Sequence, residues 1–130
     1  MVVILEDLMY TKEHEWVKVE GDIATEGITD YAQNELSDIV MVELPQIGRK
    51  VKAGESIGTI EAVKAVAEIY TALTGEIVAV NEEAKTAPDL LNKDPYGKGW
   101  LFRVKFSNPE EVKGLMNAAD YTKLSTEKAH

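Results

Sequence analysis

With 130 residues, 45% of them hydrophobic and 28% charged, the chain has the size and composition of one globular domain around a single core. Its 23 acids against 14 bases give a formal charge of −9, which repels nucleic acid and anionic membranes and favours encounter with basic protein surfaces. Cysteine is absent and histidine occurs only as His14 and His130, so disulfides, thiolate nucleophiles, histidine metal sites and histidine triads lack their residues.

The opening Met1-Val2-Val3-Ile4-Leu5 is apolar but runs at once into Glu6 and Asp7, unlike a secretory signal or a transit peptide. No stretch approaches the roughly eighteen apolar residues of a membrane span. The chain therefore reads as a protein of the bacterial or archaeal cytoplasm, with a mature mitochondrial form as the alternative. Short strand-like runs separated by turn signals follow, the pattern of an all-β sandwich or barrel. Trp16-Val17-Lys18-Val19 leads through the turn Glu20-Gly21-Asp22 to Ile23-Ala24-Thr25. Thr29 is placed to cap a short helix ending near Leu36. Val40, Val42 and Leu44 alternate with Met41 and Glu43, as in a strand with one buried face.

Further along, Ile77-Val78-Ala79-Val80 is a short apolar run. Pro95-Tyr96-Gly97-Lys98-Gly99 is a compact loop feeding a last strand, in which Trp100, Phe102, Val104 and Phe106 share a face opposite Leu101, Arg103 and Lys105. Asn108-Pro109-Glu110-Glu111 combines an N-cap, a proline at N1 and a glutamate at N3 that returns a hydrogen bond to the cap. Asn117 and Asp120 open a second short helix, and the polar end to His130 frays. The expectation is a mainly β single domain, residues 1–130, with its core at about 23–106 and a helical C-terminal cover at about 108–125.

The residues offer little for catalysis. Carboxylates are plentiful but read first as solvated faces, no glycine loop leads into a helix to cradle phosphate, and basic residues do not cluster with aromatics. A weak internal symmetry is more informative. Lys64, one of twelve lysines, lies ten residues after Gly54 and eleven before Gly75, and each glycine is followed by glutamate and an apolar stretch. This sets Lys64 near a hairpin tip, with both glycines expected at bends of positive φ.

Gly58-Thr59-Ile60-Glu61-Ala62-Val63-Lys64-Ala65, followed by Ile69 to Ile77 with its Gly75-Glu76, resembles the lipoyl-attachment hairpin of glycine cleavage H proteins. The resemblance spans about Met9 to Leu124. It takes in Tyr10 to Val17 with its His14-Glu15-Trp16, Gly27 to Gln33, Asp38 to Pro45, Asp94 to Leu101 and Tyr121 to Leu124. Departures occur at Glu13, where some members have a small hydroxyl residue, at Glu68, often aspartate, and at Ala62, often serine.

The resemblance implies a flattened barrel of two antiparallel sheets, the barrel-sandwich hybrid of lipoyl and biotinyl carriers, with short C-terminal helices. It implies (R)-lipoate in amide linkage on Lys64, flanked by the recognition residues Glu61, Val63 and Ala65, and a carrier that is not itself an enzyme. Glycine decarboxylase (P protein) would load an aminomethyl group, aminomethyltransferase (T protein) would take it, and dihydrolipoamide dehydrogenase (L protein) would collect the electrons. Lipoate-attaching enzymes complete the partners of an expected monomer. Glu13, Glu15 and Glu68 are candidates to line a cleft for the loaded arm. A lipoyl domain of a 2-oxo acid dehydrogenase would usually show aspartate before the lysine, and a biotinyl carrier methionine on both sides. A protein that only relays lipoate to other acceptors would need the same hairpin.

Overall fold

Alternation of apolar and polar residues builds two sheets. The computed structural model describes residues 2–128; Met1 and the polar end to His130 lie outside the described residues. Among the described residues nine strands run in chain order: β1 (Met9–Tyr10), β2 (Glu15–Glu20), β3 (Ile23–Ile28), β4 (Ile39–Glu43), β5 (Lys50–Val51), β6 (Ser56–Ala62), β7 (Val66–Tyr70), β8 (Gly75–Val80) and β9 (Phe102–Phe106). One sheet has the order β1-β2-β3-β9-β8-β5, and the other is β4-β6-β7; every pairing is antiparallel. The two sheets pack as an open sandwich: no described strand pairing joins them into a closed barrel.

The core lies between the sheets. Val17, Ala24, Ile77, Phe102 and Val104 of the larger sheet meet Val42, Ile60 and Ile69 of the smaller, with Leu73, Leu91 and Leu101 filling the ends. Each such large side chain contributes roughly 1.5–3 kcal/mol on burial. The last strand follows the expected alternation from Phe102 onward, but Trp100 stands outside it and Leu101 is buried rather than turned out.

Strand β4 departs from the expected alternation. Its register against β6 shifts between Ile39 and Met41, so Val40 is an extra, bulged residue. Ile39 and Val42 therefore point inward, while Val40 and Met41 both face solvent at 54% and 46% exposure. Val40 does not share the buried face of Val42.

Helix α1 (Asp30–Leu36) starts where expected, with Thr29 Oγ1 accepting the Ala32 N–H at 3.2 Å. Two short helices, α2 (Glu82–Thr86) and α3 (Leu90–Lys93), occupy a stretch in which the sequence reading names no element. Asn81 precedes α2 without a side-chain cap; its amide instead donates to Lys98 O and Trp100 O, both at 2.7 Å. Asn108 caps a 3-10 helix (Pro109–Gly114), accepting from the Glu110 N–H. Glu111 does not return to that cap. Its carboxylate reaches across to the Thr74 N–H at 2.8 Å and the Thr74 hydroxyl at 2.7 Å, tying the cover to the chain just before β8.

Helix α4 (Ala118–Lys128) opens with Asn117 Oδ1 accepting the Asp120 N–H at 2.8 Å. Its Tyr121 stacks on Tyr10 at 4.6 Å and joins Leu8 and Trp16 in a second apolar cluster. The Tyr121 hydroxyl meets both Thr29 Oγ1 (2.7 Å) and His14 Nδ1 (2.8 Å). Tyr121→Phe removes both contacts in a buried setting, so we expect a loss of about 1–2 kcal/mol in urea unfolding. An unchanged midpoint would mean that these bonds are replaced without cost.

Candidate functional site

Lys64 stands at the tip of the β6–β7 hairpin. Glu61 pairs with Val66, and the Ala62 N–H donates to Ala65 O at 2.7 Å, leaving Val63 and Lys64 as the two residues of the turn. Among the described residues only His14 and Ser37 are non-glycines with positive φ, so the turn asks nothing unusual of β-branched Val63. The tip is braced from the side: the Val63 N–H donates to Asp38 O at 2.9 Å, and Ile39 pairs with Ala62. Lys64 and Ala65 are exposed, Val63 is 67% exposed, and Glu61 is half-buried on the outer face between Met41 and Val66. Four of the seven exposed large apolar side chains among the described residues, Val40, Met41, Val63 and Val66, gather at this end of the small sheet.

The flanking glycines are constrained in different ways. Gly54 has φ +85° in open space, as expected. Gly75 does not lie at a bend of positive φ; it is the first residue of β8, between Val51 and Phe106. A Cβ there would be driven into the carbonyl oxygen of Lys105. The requirement for glycine is close backbone approach.

The three candidate carboxylates come from a tight turn and an edge strand. Between β1 and β2 the Thr11 N–H donates to Glu15 O at 2.9 Å, and Thr11 Oγ1 accepts the N–H groups of Glu13 and Glu15. His14 completes the turn at φ 64°, its ring stacked on Tyr31 at 4.5 Å. This geometry turns Glu15 inward, 4% exposed, and leaves Glu13 in solvent. Tyr70 is the residue that gathers the acids. Its N–H donates to Glu15 Oε2 at 2.8 Å, and its hydroxyl donates to Glu68 Oε2 at 3.0 Å. Glu68 also accepts from Ser56 Oγ at 3.0 Å. The hydrogen bond to Glu68 and the nearby charges of Glu68, Glu13 and Glu15 raise the Tyr70 phenol above its ordinary range.

Glu13, Glu15, Tyr70, Thr71 and Ala72 line a cleft of about 310 Å³. Glu68 is not in its wall and reaches it through the Tyr70 hydroxyl. A second depression of about 430 Å³ shares Glu13 and runs past His14, Tyr31 and Glu35 to Ala67, three residues from Lys64. A roomier groove of about 900 Å³, beside Lys50, Lys52 and Lys105 at the β5 edge, contains none of the candidate residues.

Sequence reasoning passed over Tyr70 as a hub, His14 as the turn that aims Glu15, and Glu26. Glu26 is 1% exposed and accepts the Ala72 N–H on Oε1 at 2.9 Å. The available signal was its phase: Glu26 alternates with Ala24 and Ile28, so a strand that buries those residues must bury an acid with them. No group of three or more metal-binding side chains occurs among the described residues, and no helix there is long and apolar enough to cross a membrane.

The model of the glycine cleavage H-protein family matches residues 8–128. The chain belongs to that family. It is 49% identical to the glycine cleavage system H protein of Carboxydothermus hydrogenoformans over 98% of both chains. It is 50% identical to that of Herpetosiphon aurantiacus over 95% of both, and 51% identical to the probable H protein of Aeropyrum pernix over 92% of this chain and 83% of that one. The crystal structure of the H protein from Mycobacterium marinum superposes with a TM-score of 0.82 at 36% identity, covering 92% of this chain and 97% of that one. The sandwich described above is thus of the lipoyl-carrier type, and the H-protein family to which the chain belongs consists of lipoyl carriers of glycine cleavage, not enzymes.

Proposed function

We propose that the chain carries lipoate in amide linkage on Lys64 and shuttles the aminomethyl group of glycine between enzymes, as one carrier domain over residues 1–130. The observation that carries this reading is the exposed, braced hairpin. Lys64 projects from a tip held by Ala62, Ala65 and Asp38, and no described hydrogen bond or ion pair engages its ammonium. A side chain so presented is open to an attaching enzyme that reads Glu61, Val63 and Ala65, and a rigid root fixes where the arm starts. When bound, lipoate supplies a dithiolane that accepts the cargo on sulfur and takes up two electrons.

The chain's own residues hold the cargo. The primary amine of the cargo meets Glu15 and Glu13 in the cleft, with Glu68 behind the Tyr70 hydroxyl, and is held there as its ammonium. A carboxylate paired with that ammonium keeps the nitrogen protonated, so its lone pair does not expel sulfur. Glycine decarboxylase loads the cargo, aminomethyltransferase removes it and dihydrolipoamide dehydrogenase reoxidises the arm; a charge of −9 speeds encounter with basic docking faces on these partners. The setting is the bacterial or archaeal cytoplasm, with the protein a monomer that binds neither nucleic acid nor membrane.

Intact-mass analysis with peptide mapping, before and after incubation with lipoate and a lipoate ligase, tests the attachment. One lipoyl group on the peptide containing Lys64 is the expected result, and modification elsewhere overturns it. For the cleft, Glu15→Gln and Glu68→Gln should be lipoylated normally yet release ammonia and formaldehyde several-fold faster from the loaded protein. Decay equal to wild type in both variants, at low and at high salt, removes these carboxylates from the mechanism.

A further inference from the structure

Glu26 has no part in the reading above, yet it lies behind the same cleft, bonded to the amide of its lining residue Ala72. Glu15 stands opposite Ile28, and Glu26 opposite Val17, so the two are diagonal neighbours on one face of β2 and β3. Their carboxyls bind alternate amides of one segment, Glu15 that of Tyr70 and Glu26 that of Ala72. No described ion pair includes either acid. The one guanidinium nearby, Arg103 of β9, donates to Thr25 Oγ1 at 3.1 Å, on the opposite face of β3. The other titratable groups around Glu15 are Glu13 and His14 from the turn and Glu68 and Tyr70 from β7. Two acids are thus buried side by side.

The Thr71 hydroxyl gives a second observation. It donates to Leu73 O at 2.8 Å, accepts the Leu73 N–H at 3.3 Å and lies 3.5 Å from Glu26 Oε2. A hydroxyl has one proton and two acceptor positions. With its proton directed to Leu73 O, the hydroxyl gives Glu26 Oε2 little at 3.5 Å, and the Ala72 N–H is the one close donor to Glu26 among the described residues.

We propose that Glu15 and Glu26 form a buried carboxyl pair that holds its protons while the cleft is empty and yields one, from Glu15, to the nitrogen of an arriving amine, with Glu26 as the positioning residue that stays neutral behind it. In that step the Glu15 O–H bond breaks, its electron pair stays on the carboxylate, and an N–H bond forms on the neutral amine; the ammonium and carboxylate so made are the paired state of the preceding section. Burial raises both carboxyls: Glu15, with the added fields of Glu26 and Glu13, goes well above the usual range, and Glu26 is pushed from 4.5 to about 8. Neighbouring buried acids resist ionising together, so once Glu15 has given up its proton the pair holds a single negative charge, beside Glu13 in the same cleft.

The inference rests on the carrier reading but is tested apart from it, by carboxyl carbon NMR on protein labelled at glutamate. In the unmodified wild type at pH 7, both Glu15 and Glu26 should appear as neutral acids. In the cargo-loaded protein Glu15 should move to its carboxylate position while Glu26 stays. A Glu15 already ionised in the empty protein, or a Glu26 that ionises on loading, overturns the proposal whatever the decay rates of the loaded arm. Unmodified Glu26→Gln should lose the second of two linked titration steps, leaving Glu15 to titrate in one step at lower pH than the second wild-type step. An unaltered Glu15 curve would uncouple the pair. Since the folded state holds the Glu26 proton more tightly than the unfolded chain, stability from this residue is full below about 4.5 and lost as pH rises through about 8. The melting temperature of wild type should fall across that window more than that of Glu26→Gln.

Discussion

Lys64→Arg should abolish lipoyl attachment and all support of glycine cleavage while leaving the melting temperature unchanged. The side chain stands in solvent beyond the last pair of the hairpin, so its replacement disturbs no packing and falls in the range of roughly ±0.5 kcal/mol typical of such sites. Arginine keeps the positive charge and most of the length, but its guanidinium stays protonated and is a poor acceptor for acyl transfer. The variant therefore separates charge from nucleophilicity at the tip. Intact mass after incubation with lipoate and ligase, together with reconstituted glycine cleavage, reads both outcomes. Lipoate on one of the other eleven lysines, or residual cleavage, would move the attachment site away from residue 64.

Gly75→Val should be the most damaging single change to the fold, costing about 3 kcal/mol or more. The Cβ at this position meets the Lys105 carbonyl oxygen, with Lys105 C and Phe106 Cα both at 2.8 Å, so backbone rather than a yielding side chain stands in the way. Relief requires β8 to separate from β9 at the pair Gly75–Phe106, while β5 holds it on the other side through Val51. Gly54→Ala offers the contrast: strained by its φ of +85° but opening onto empty space, it should cost about 1 kcal/mol. Urea midpoints should rank Gly75→Val well below Gly54→Ala, which in turn lies below wild type. The opposite order would mean that backbone conformation, not approach, is the constraint at both glycines. Lipoylation of Gly75→Val should follow the fraction folded, because the hairpin belongs to the other sheet.

What the sequence disclosed was whatever depends on neighbouring residues. Thr29, Asn108 and Asn117 cap the helices assigned to them because a cap is decided within three positions. The turn at Gly21 and the hairpin at Lys64 are equally local. The features that escaped depend on partners distant in the chain. Val40 faces solvent because β4 slips by one residue against β6, and period-two alternation does not record a slip. Glu111 has a suitable local partner at its own cap but bonds Thr74, thirty-seven positions away, where an unpaired N–H and a hydroxyl are both within reach. Helices α2 and α3 are five and four residues long, too short to establish an apolar period. At the site, Lys64, Glu13, Glu15 and Glu68 were named from resemblance, whereas Tyr70, which gathers the acids, and Glu26, hidden behind them, emerge only when the two sheets face each other.

The carboxyl groups of Glu15 and Glu26 also bear on the free edge of the smaller sheet. Strand β7 is the outer strand of its sheet, and such a strand ordinarily presents a row of unsatisfied amides on which another chain can pair. Here the Tyr70 amide and, just past the strand, the Ala72 amide are already taken by acids pointing in from the opposite sheet. A second molecule approaching this end of the strand finds those two amides occupied and carboxyl groups where a backbone would have to lie. The end of β7 away from the Lys64 tip is thus closed to strand addition by groups of the facing sheet.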